Sequence, residues 1–196
     1  MFESFITLFT VTLLLLGSPG PAPIALAATG ATFGTRRGLP FLFGILLGLC
    51  FAIVATMTGL VALFSQLPML RVVFQFVGGG YMIYVAFKIA TASVLEDQDE
   101  QFAPSFRDGL ILNILNPKVY AAFLAIFSQF LLPFSDVYLS YLITALTCFI
   151  VAVIVDVLWL MGGNFLRPFF VKPVQARMIR MLFAISIFIA VAFTFL

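Results

Sequence analysis

Asp156 is surrounded by an apolar run, whereas the other acids of the chain lie at segment ends or in polar stretches. Inserting an ionised aspartate at the centre of a membrane helix costs roughly 2.5–3.5 kcal/mol, so such a residue needs a partner, a water-filled cavity or a proton. Asp156 is therefore either a structural carboxylate bonded to an asparagine or lysine, or a proton-coupling group. The chain has no histidine, which favours the coupling role.

Lys118 is a second charge inside an apolar segment, and it directly follows Pro117. Its ammonium group either extends to the cytoplasmic surface of the membrane or faces the protein interior. About ten residues separate Lys118 from that surface, a long reach for a lysine, so the interior position is favoured. Asn113 and Asn116 lie three residues apart, on one helical face. Their amides could satisfy backbone groups that Pro117 frees, bind a polar substrate, or do both.

The stretch Ser18-Pro19-Gly20-Pro21, followed by Ala22-Pro23, interrupts the first apolar run. Each proline removes a backbone donor and clashes with the preceding turn, so a regular helix cannot continue. In lipid, the freed polar groups need partners in the protein or in a water-filled cavity. A helix that restarts at Pro21 or Pro23 would present N–H groups and a positive dipole end to a carboxylate. With Lys118 as a further cation and Asp156 facing an ammonium group, the site fits a zwitterionic amino acid.

The composition identifies the elements that position these residues. The chain has 196 residues, 63% hydrophobic and 9% charged, and its mean hydropathy is +1.21. A soluble domain would be about a quarter charged, and apolar stretches of roughly 20 residues are long enough to cross a bilayer. We predict an all-α membrane protein, a single domain over 1–196, with segments at about 4–28, 38–64, 67–91, 109–132, 137–162 and 178–196. Neither cysteine has metal-site spacing, and no basic patch with aromatics occurs, so no metal, cofactor or nucleic acid is expected.

The predicted segments divide into two halves of three. An odd number of segments per half gives the halves opposite orientations, which is the inverted repeat of many secondary transporters. The opening segment of each half is broken, the first at Gly17–Pro23 and the fourth at Asn113–Lys118. At about 1.5 Å per residue, both breaks fall within several Å of one depth near the midplane. Two such breaks are the expected mark of a substrate site.

The basic residues predict the orientation. Arg36, Arg37, Lys88 and Arg107 lie in or beside odd-numbered connections, as do Arg167, Lys172, Arg177 and Arg180. Only Arg71 lies on the opposite side, so the positive-inside rule gives both termini a periplasmic location. The acids at 96, 97, 99 and 100 form a solvated loop in this interpretation. Gly44 and Gly48, a small-x-x-x-small pair, and Gly78-Gly79-Gly80 predict close helix packing, with a homodimer as the alternative for the pair.

Several stretches match, in order and spacing, motifs of one known family: Ser18-Pro19-Gly20-Pro21, Gly78-Gly79-Gly80-Tyr81-Met82-Ile83-Tyr84, Phe106-Arg107-Asp108-Gly109 with Asn113-Ile114-Leu115-Asn116-Pro117-Lys118, and Phe127-Ser128-Gln129-Phe130. They resemble the S-P-G-P, G-x-x-Y-L-x-Y/W-x-G, F-x-x-G…N-x-x-N-P-K and F-x-Q-F motifs of the LysE/RhtB family of amino-acid exporters. Asp156 falls where that family carries an aspartate in its fifth segment. The resemblance spans nearly the whole chain.

The resemblance implies a bacterial inner-membrane transporter that exports amino acids or similar small metabolites by proton antiport. Distant relatives move cations such as cadmium, so a cation exporter is one alternative and a passive channel is another. An integral-membrane enzyme using Asp156, Lys118 and Ser18 is disfavoured, because no base–nucleophile spacing or metal cluster occurs. The sequence does not specify the substrate, the coupling ion or the oligomeric state.

Overall fold

The computed structural model describes residues 1–59, 67–91, 103–165 and 173–192, and all regular structure in these ranges is helical. The acidic stretch at 96–100 lies outside them. The described helices, in chain order, are α1 (Phe2–Gly17), α2 (Pro21–Phe33), α3 (Thr35–Met57), α4 (Pro68–Ala90), α5 (Phe106–Ile114), α6 (Pro117–Gln129), α7 (Val137–Phe165) and α8 (Pro173–Ala192).

Two to four candidate membrane spans occur among the described helices. α3 and α7 are each long and apolar enough to cross a membrane, with hydropathies of 2.4 and 2.5. The pair α1 and α2, bent by 65°, and the pair α5 and α6, bent by 56°, qualify when each pair counts as one span. The predicted all-helical membrane protein is confirmed at this level. The six-segment inverted repeat stays a prediction, with α4 and α8 lying at the third and sixth predicted segments.

Proline chemistry explains where both broken spans are interrupted. α1 ends at Gly17, and α2 begins at Pro21 with Gly20 as its N-cap residue. α5 ends at Ile114, and α6 begins at Pro117, the first helical position after the N-cap Asn116. The first position of a helix tolerates proline because its N–H would have no intrahelical partner. Both breaks therefore lie where the sequence predicts them.

The first predicted segment ends at 28 and the second begins at 38, and the connection Thr29–Arg37 that this leaves between them is wrong. α2 continues to Phe33 and α3 begins at Thr35, so the connection shrinks to Gly34, whose φ of 82° favours glycine. Nearly all of α2 is buried, and this packing holds the stretch after Ala28 in a helix although its polar composition resembles a loop. The end of the second segment also differs from the prediction at 64. α3 ends at Met57, Gly59 follows with a φ of 74°, and 60–66 lies outside the described residues.

α2 is the central helix of the described structure, buried on all sides, and it packs against α7, α3, α8 and α4. Its closest approach is to α7. A Cβ added to Gly30 would overlap the Leu160 carbonyl oxygen, and one added to Gly163 would overlap the Ala27 carbonyl. Small residues allow such close backbone contact in membrane helices. Gly30 and Gly163 therefore allow the backbones of α2 and α7 to lie in direct contact.

α3 and α5 form a second glycine-packed pair. A Cβ on Gly44 would overlap the Phe106 carbonyl oxygen, and one on Gly48 would lie 2.9 Å from the Asn113 Cβ. The small-residue pair of the second segment is thus used for packing inside the chain, and the homodimer stays a prediction without support from it. Gly78 of α4 likewise approaches the Leu115 carbonyl oxygen, whereas Gly80 faces open space.

Two apolar clusters form the core, one on each side of the breaks. The first joins α1 and α6 to the second half of α3 and the first half of α7. The second joins α2, α4, α5 and α8 to the remaining halves of α3 and α7. Along α7, Ala152 belongs to the first cluster and Leu160 to the second. Asp156 lies midway between them on the same helical stripe, and both breaks also fall between the clusters.

Candidate functional site

The two helix breaks are joined by Lys118. Its Nζ donates to the Ser18 carbonyl oxygen at 2.7 Å and to Ser18 Oγ at 2.8 Å. The ammonium group of α6 therefore lies at the gap between α1 and α2, and the side chain does not extend away from the site. Gly20 makes room for this arrangement, because a Cβ there would lie 2.9 Å from Lys118 Nζ and 3.0 Å from its Cδ.

Side chains replace the backbone donors that the prolines remove at the first break. In a regular helix, the carbonyls of Leu15 and Gly17 would pair with the N–H groups of residues 19 and 21, both prolines. Instead, Ser18 Oγ donates to the Leu15 carbonyl at 3.1 Å, and Trp159 Nε1 donates to the Gly17 carbonyl at 3.3 Å. These contacts meet the requirement that a break at membrane depth be satisfied by protein.

The second break is satisfied in a similar way. Asn116 Oδ1 accepts from the Lys118 N–H at 3.2 Å as the N-cap of α6. The Asn113 carbonyl, which Pro117 deprives of its helical donor, accepts from the Asn116 N–H at 3.2 Å. The Tyr120 hydroxyl donates to the Ile114 carbonyl at 2.8 Å. The break is therefore a fixed structure with defined partners for its backbone.

The two asparagines have separate structural contacts. Asn116 satisfies a backbone donor at the break, as one of the two interpretations predicts. Asn113 Nδ2 instead donates to the Ile45 carbonyl of α3 at 2.8 Å, so it ties α5 to α3. Asn113 and Asn116 are 1% and 2% exposed. Ser18, Asn113, Asn116, Lys118 and Asp156 lie at the breaks or between the two apolar clusters, and we call this set the polar layer. Asn113 makes no hydrogen bond to Ser18.

Asp156 is 7% exposed and has no hydrogen bond or ion pair to another described residue. It is flanked on α7 by Val155, which packs near Gly17, and it lies three residues before Trp159, whose ring nitrogen binds the break. Asp156 thus lies on the turn of α7 that contacts the first break, and it makes no ion pair with Lys118. A structural role bonded to an asparagine or lysine has no support among the described residues.

A groove of about 640 Å³ lies along α1, α2, α7 and α8 and reaches the first break. Ser18 and Gly17 line one end, and Trp159, Gly163 and Phe183 line it further along. Most of the lining is apolar, so the groove would hold the hydrocarbon part of a ligand more readily than a charge.

The sequence interpretation predicted that Ser18 and Lys118 belong to one site, and the structure brings them into contact. Pro19, Gly20, Pro21 and Pro117 shape the two breaks, as described above. Trp159 was missed, because an indole N–H reaching a carbonyl 142 positions away in the chain depends on tertiary packing. Its one available signal was its position as the single tryptophan, three residues after Asp156.

Comparison with known proteins gives a family-level match. The sequence model described as LysE type translocator matches residues 13–196. The homoserine/homoserine lactone efflux protein of Salmonella typhimurium is 30% identical over 156 residues, covering 77% of this chain and 75% of that protein.

Two further similar proteins are described as uncharacterized membrane proteins. The one from Vibrio cholerae is 26% identical over 136 residues, 66% of each chain. The one from Pseudomonas aeruginosa is 28% identical over 160 residues, covering 76% of this chain and 70% of that protein. No solved structure matches.

Proposed function

The chain belongs to the LysE type translocator family, as its motifs predicted, and on this premise we propose that it is a secondary active exporter of small amino acids or related metabolites. The contact of Lys118 with Ser18 carries the proposal. It puts a cation at the junction of two broken spans, in a polar layer between two apolar clusters. Half-helix ends and buried charges at such a junction are the usual means by which transporters bind polar substrates.

The chemistry of the junction suits a zwitterion. Lys118 has three N–H donors, two of them used by Ser18, and the third has no partner among the described residues. A carboxylate could bind this donor together with the N–H groups of Gly20 and Ala22, the donors that Pro21 and Pro23 leave at the start of α2. Asp156 would face the ammonium group. The substrates named for the Salmonella relative, homoserine and its lactone, both carry an ammonium group and make homoserine the first amino acid to test.

Proton antiport is the proposed driving mechanism, with Asp156 as the coupling group. A buried carboxylate without an ion pair can exchange a proton for the substrate's ammonium group, since only one of the two is needed to balance its charge. This exchange would couple outward substrate movement to inward proton movement. The absence of an ion pair between Asp156 and any described residue supports the assignment.

The proposed architecture is the inverted repeat of six segments in the bacterial inner membrane, with both termini periplasmic. The most extensive helix contacts agree with this symmetry, because α2 of the first half packs on α7 of the second, and α5 of the second packs on α3 of the first. Each broken span thus lies against the second predicted segment of the other half.

The decisive experiment is export of a panel of labelled amino acids from cells that overexpress the protein. We expect faster export of homoserine or another small amino acid than from cells with an empty vector. Reconstituted vesicles then separate exporter from channel, because an antiporter shows substrate-driven proton movement and a channel does not. Cadmium in the same panel tests the cation exporter. A panel with no exported amino acid would contradict the proposal.

A glycine pair tests the site itself. Gly20→Ala would bring a methyl group within 2.9 Å of Lys118 Nζ, and the lysine would have to move from Ser18. We expect export to fall while the purified protein keeps its normal elution on size-exclusion chromatography. Gly80→Ala is the matched control, because a Cβ there meets nothing within 4 Å. Equal export by both variants would remove Lys118 and Ser18 from the proposed site.

A further inference from the structure

Three buried side-chain atoms lack a hydrogen-bond partner in the described part of the chain: Arg180 Nε, Thr29 Oγ1 and Thr32 Oγ1. Arg180 belongs to α8, both threonines lie on α2, and α8 packs against α2. Each of the three groups can donate a hydrogen bond. Buried polar groups in native proteins are nearly always satisfied. Each of these groups is therefore available to a ligand that supplies an acceptor.

Arg180 is directed into the protein rather than toward lipid. Only 4% of its surface is exposed, whereas Arg177, one turn earlier on α8, is exposed. Arg180 precedes Phe183 and Ala184 by three and four residues, so the three share one face of the helix. Both of those residues pack against the apolar core, and Phe183 also lines the groove that reaches Ser18.

Arg180 makes no ion pair with an acidic residue in the described part of the chain. Nε of this buried guanidinium has no hydrogen-bond partner in the described part of the chain, and an anion that binds it offsets the cost of burying it unpaired. The planar guanidinium suits a carboxylate, which can accept two parallel hydrogen bonds. Lys118, by comparison, is already bonded to Ser18 in this structure.

We propose that Arg180 is a specificity-determining residue that binds the carboxylate of the exported amino acid, at a position on its path distinct from the Lys118 contact. The inference rests on the proposed export function. It predicts that the protein discriminates between a substrate with a free carboxylate and the same molecule with that group esterified. Arg180 supplies the charge in this interaction.

The test uses purified protein in vesicles and measures counterflow of homoserine and of homoserine lactone, whose carboxyl group is closed into an uncharged ester. If the panel identifies another amino acid, that molecule and its methyl ester replace the pair. For Arg180→Gln we expect the KM for the free amino acid to rise about tenfold or more, because a charge-assisted hydrogen bond is lost. The KM for the ester should change less than about twofold.

Two further variants separate recognition from structure. Arg180→Lys keeps the charge and should recover part of the affinity for the carboxylate, and Arg177→Gln, the exposed neighbour, should match the wild type. An equal loss for acid and ester would identify a structural role for Arg180 and overturn the proposal. An unchanged KM for the acid in Arg180→Gln would also overturn it. So would a wild-type protein that transports the ester and not the free amino acid. A wild-type protein that moves no amino acid contradicts the export function instead.

Discussion

Lys118 is the residue whose replacement tests the proposed site most directly, because it makes both hydrogen bonds that join the breaks. We expect Lys118→Ala to raise the KM for the exported amino acid at least about tenfold, since the lost charge-assisted hydrogen bond contributes roughly 1.5–3 kcal/mol. Counterflow in reconstituted vesicles measures it. Arg107→Ala removes an exposed charge on α5 and is the control. An unchanged KM would make the Lys118–Ser18 contact purely structural.

Asp156 is the residue whose replacement separates coupling from transport. Asp156→Asn keeps the shape and a hydrogen-bonding group but cannot carry the proton. We expect substrate-driven proton uptake, followed with a pH-sensitive dye trapped in vesicles, to disappear while the protein still inserts normally. Glu3→Gln, an exposed acid at the start of α1, should retain full proton movement. Active export with proton movement by Asp156→Asn would eliminate the coupling role.

The close packing of α2 and α7 makes a prediction at the scale of elements. A Cβ at Gly163 would overlap backbone atoms of Ala27, so Gly163→Ala forces two helices apart and should destabilise the protein by about 1–3 kcal/mol. Gly162→Ala is the neighbouring control, because a Cβ at Gly162 has open space. The loss of monodisperse protein after heating measures the difference. Similar midpoints for the two variants would show that α7 can shift at this crossing without cost.

The elements also show what could be predicted from the sequence. Both breaks were predictable because proline lacks an N–H wherever it lies, and the interior location of Lys118 followed from its distance to the surface. The extent of α2 beyond Ala28 was not, because burial among four helices overrides the polar appearance of that stretch. The same holds for Trp159 and Arg180, whose importance comes from contacts or missing contacts between helices that are far apart in sequence.

At the scale of the whole molecule, the polar layer separates the two apolar clusters of the described core. α2 and α5 belong to the second cluster, and α1 and α6 belong to the first. A substrate that passes through the polar layer must therefore also pass through both clusters. Each cluster is closed by large buried side chains, such as Phe41 in one and Phe123 in the other. Under the proposed function, export would require one cluster to open at a time, which is the alternating access expected of the proposed inverted repeat.

Reporter fusions test which of the two clusters lies toward the cytoplasm. We expect a phosphatase that is active only in the periplasm to be active when fused after Leu196 and inactive when inserted after Asp97, and a cytoplasmic fluorescent reporter to give the reverse pattern. The physical reason is the concentration of arginine and lysine on one side, opposed by Arg71 alone. Arg71→Gln should leave the pattern unchanged.

Phosphatase activity after Asp97 would reverse the assignment of the two clusters. With the expected result, α2, α5 and the buried Arg180 lie toward the cytoplasm. An exported amino acid would then meet Arg180 before it reaches Lys118 and Asp156. The order matters, because Arg180→Gln should weaken binding from the cytoplasmic side, whereas Lys118→Ala should weaken it from both sides. Vesicles of known orientation distinguish the two, and equal effects from both sides for Arg180→Gln would contradict this order.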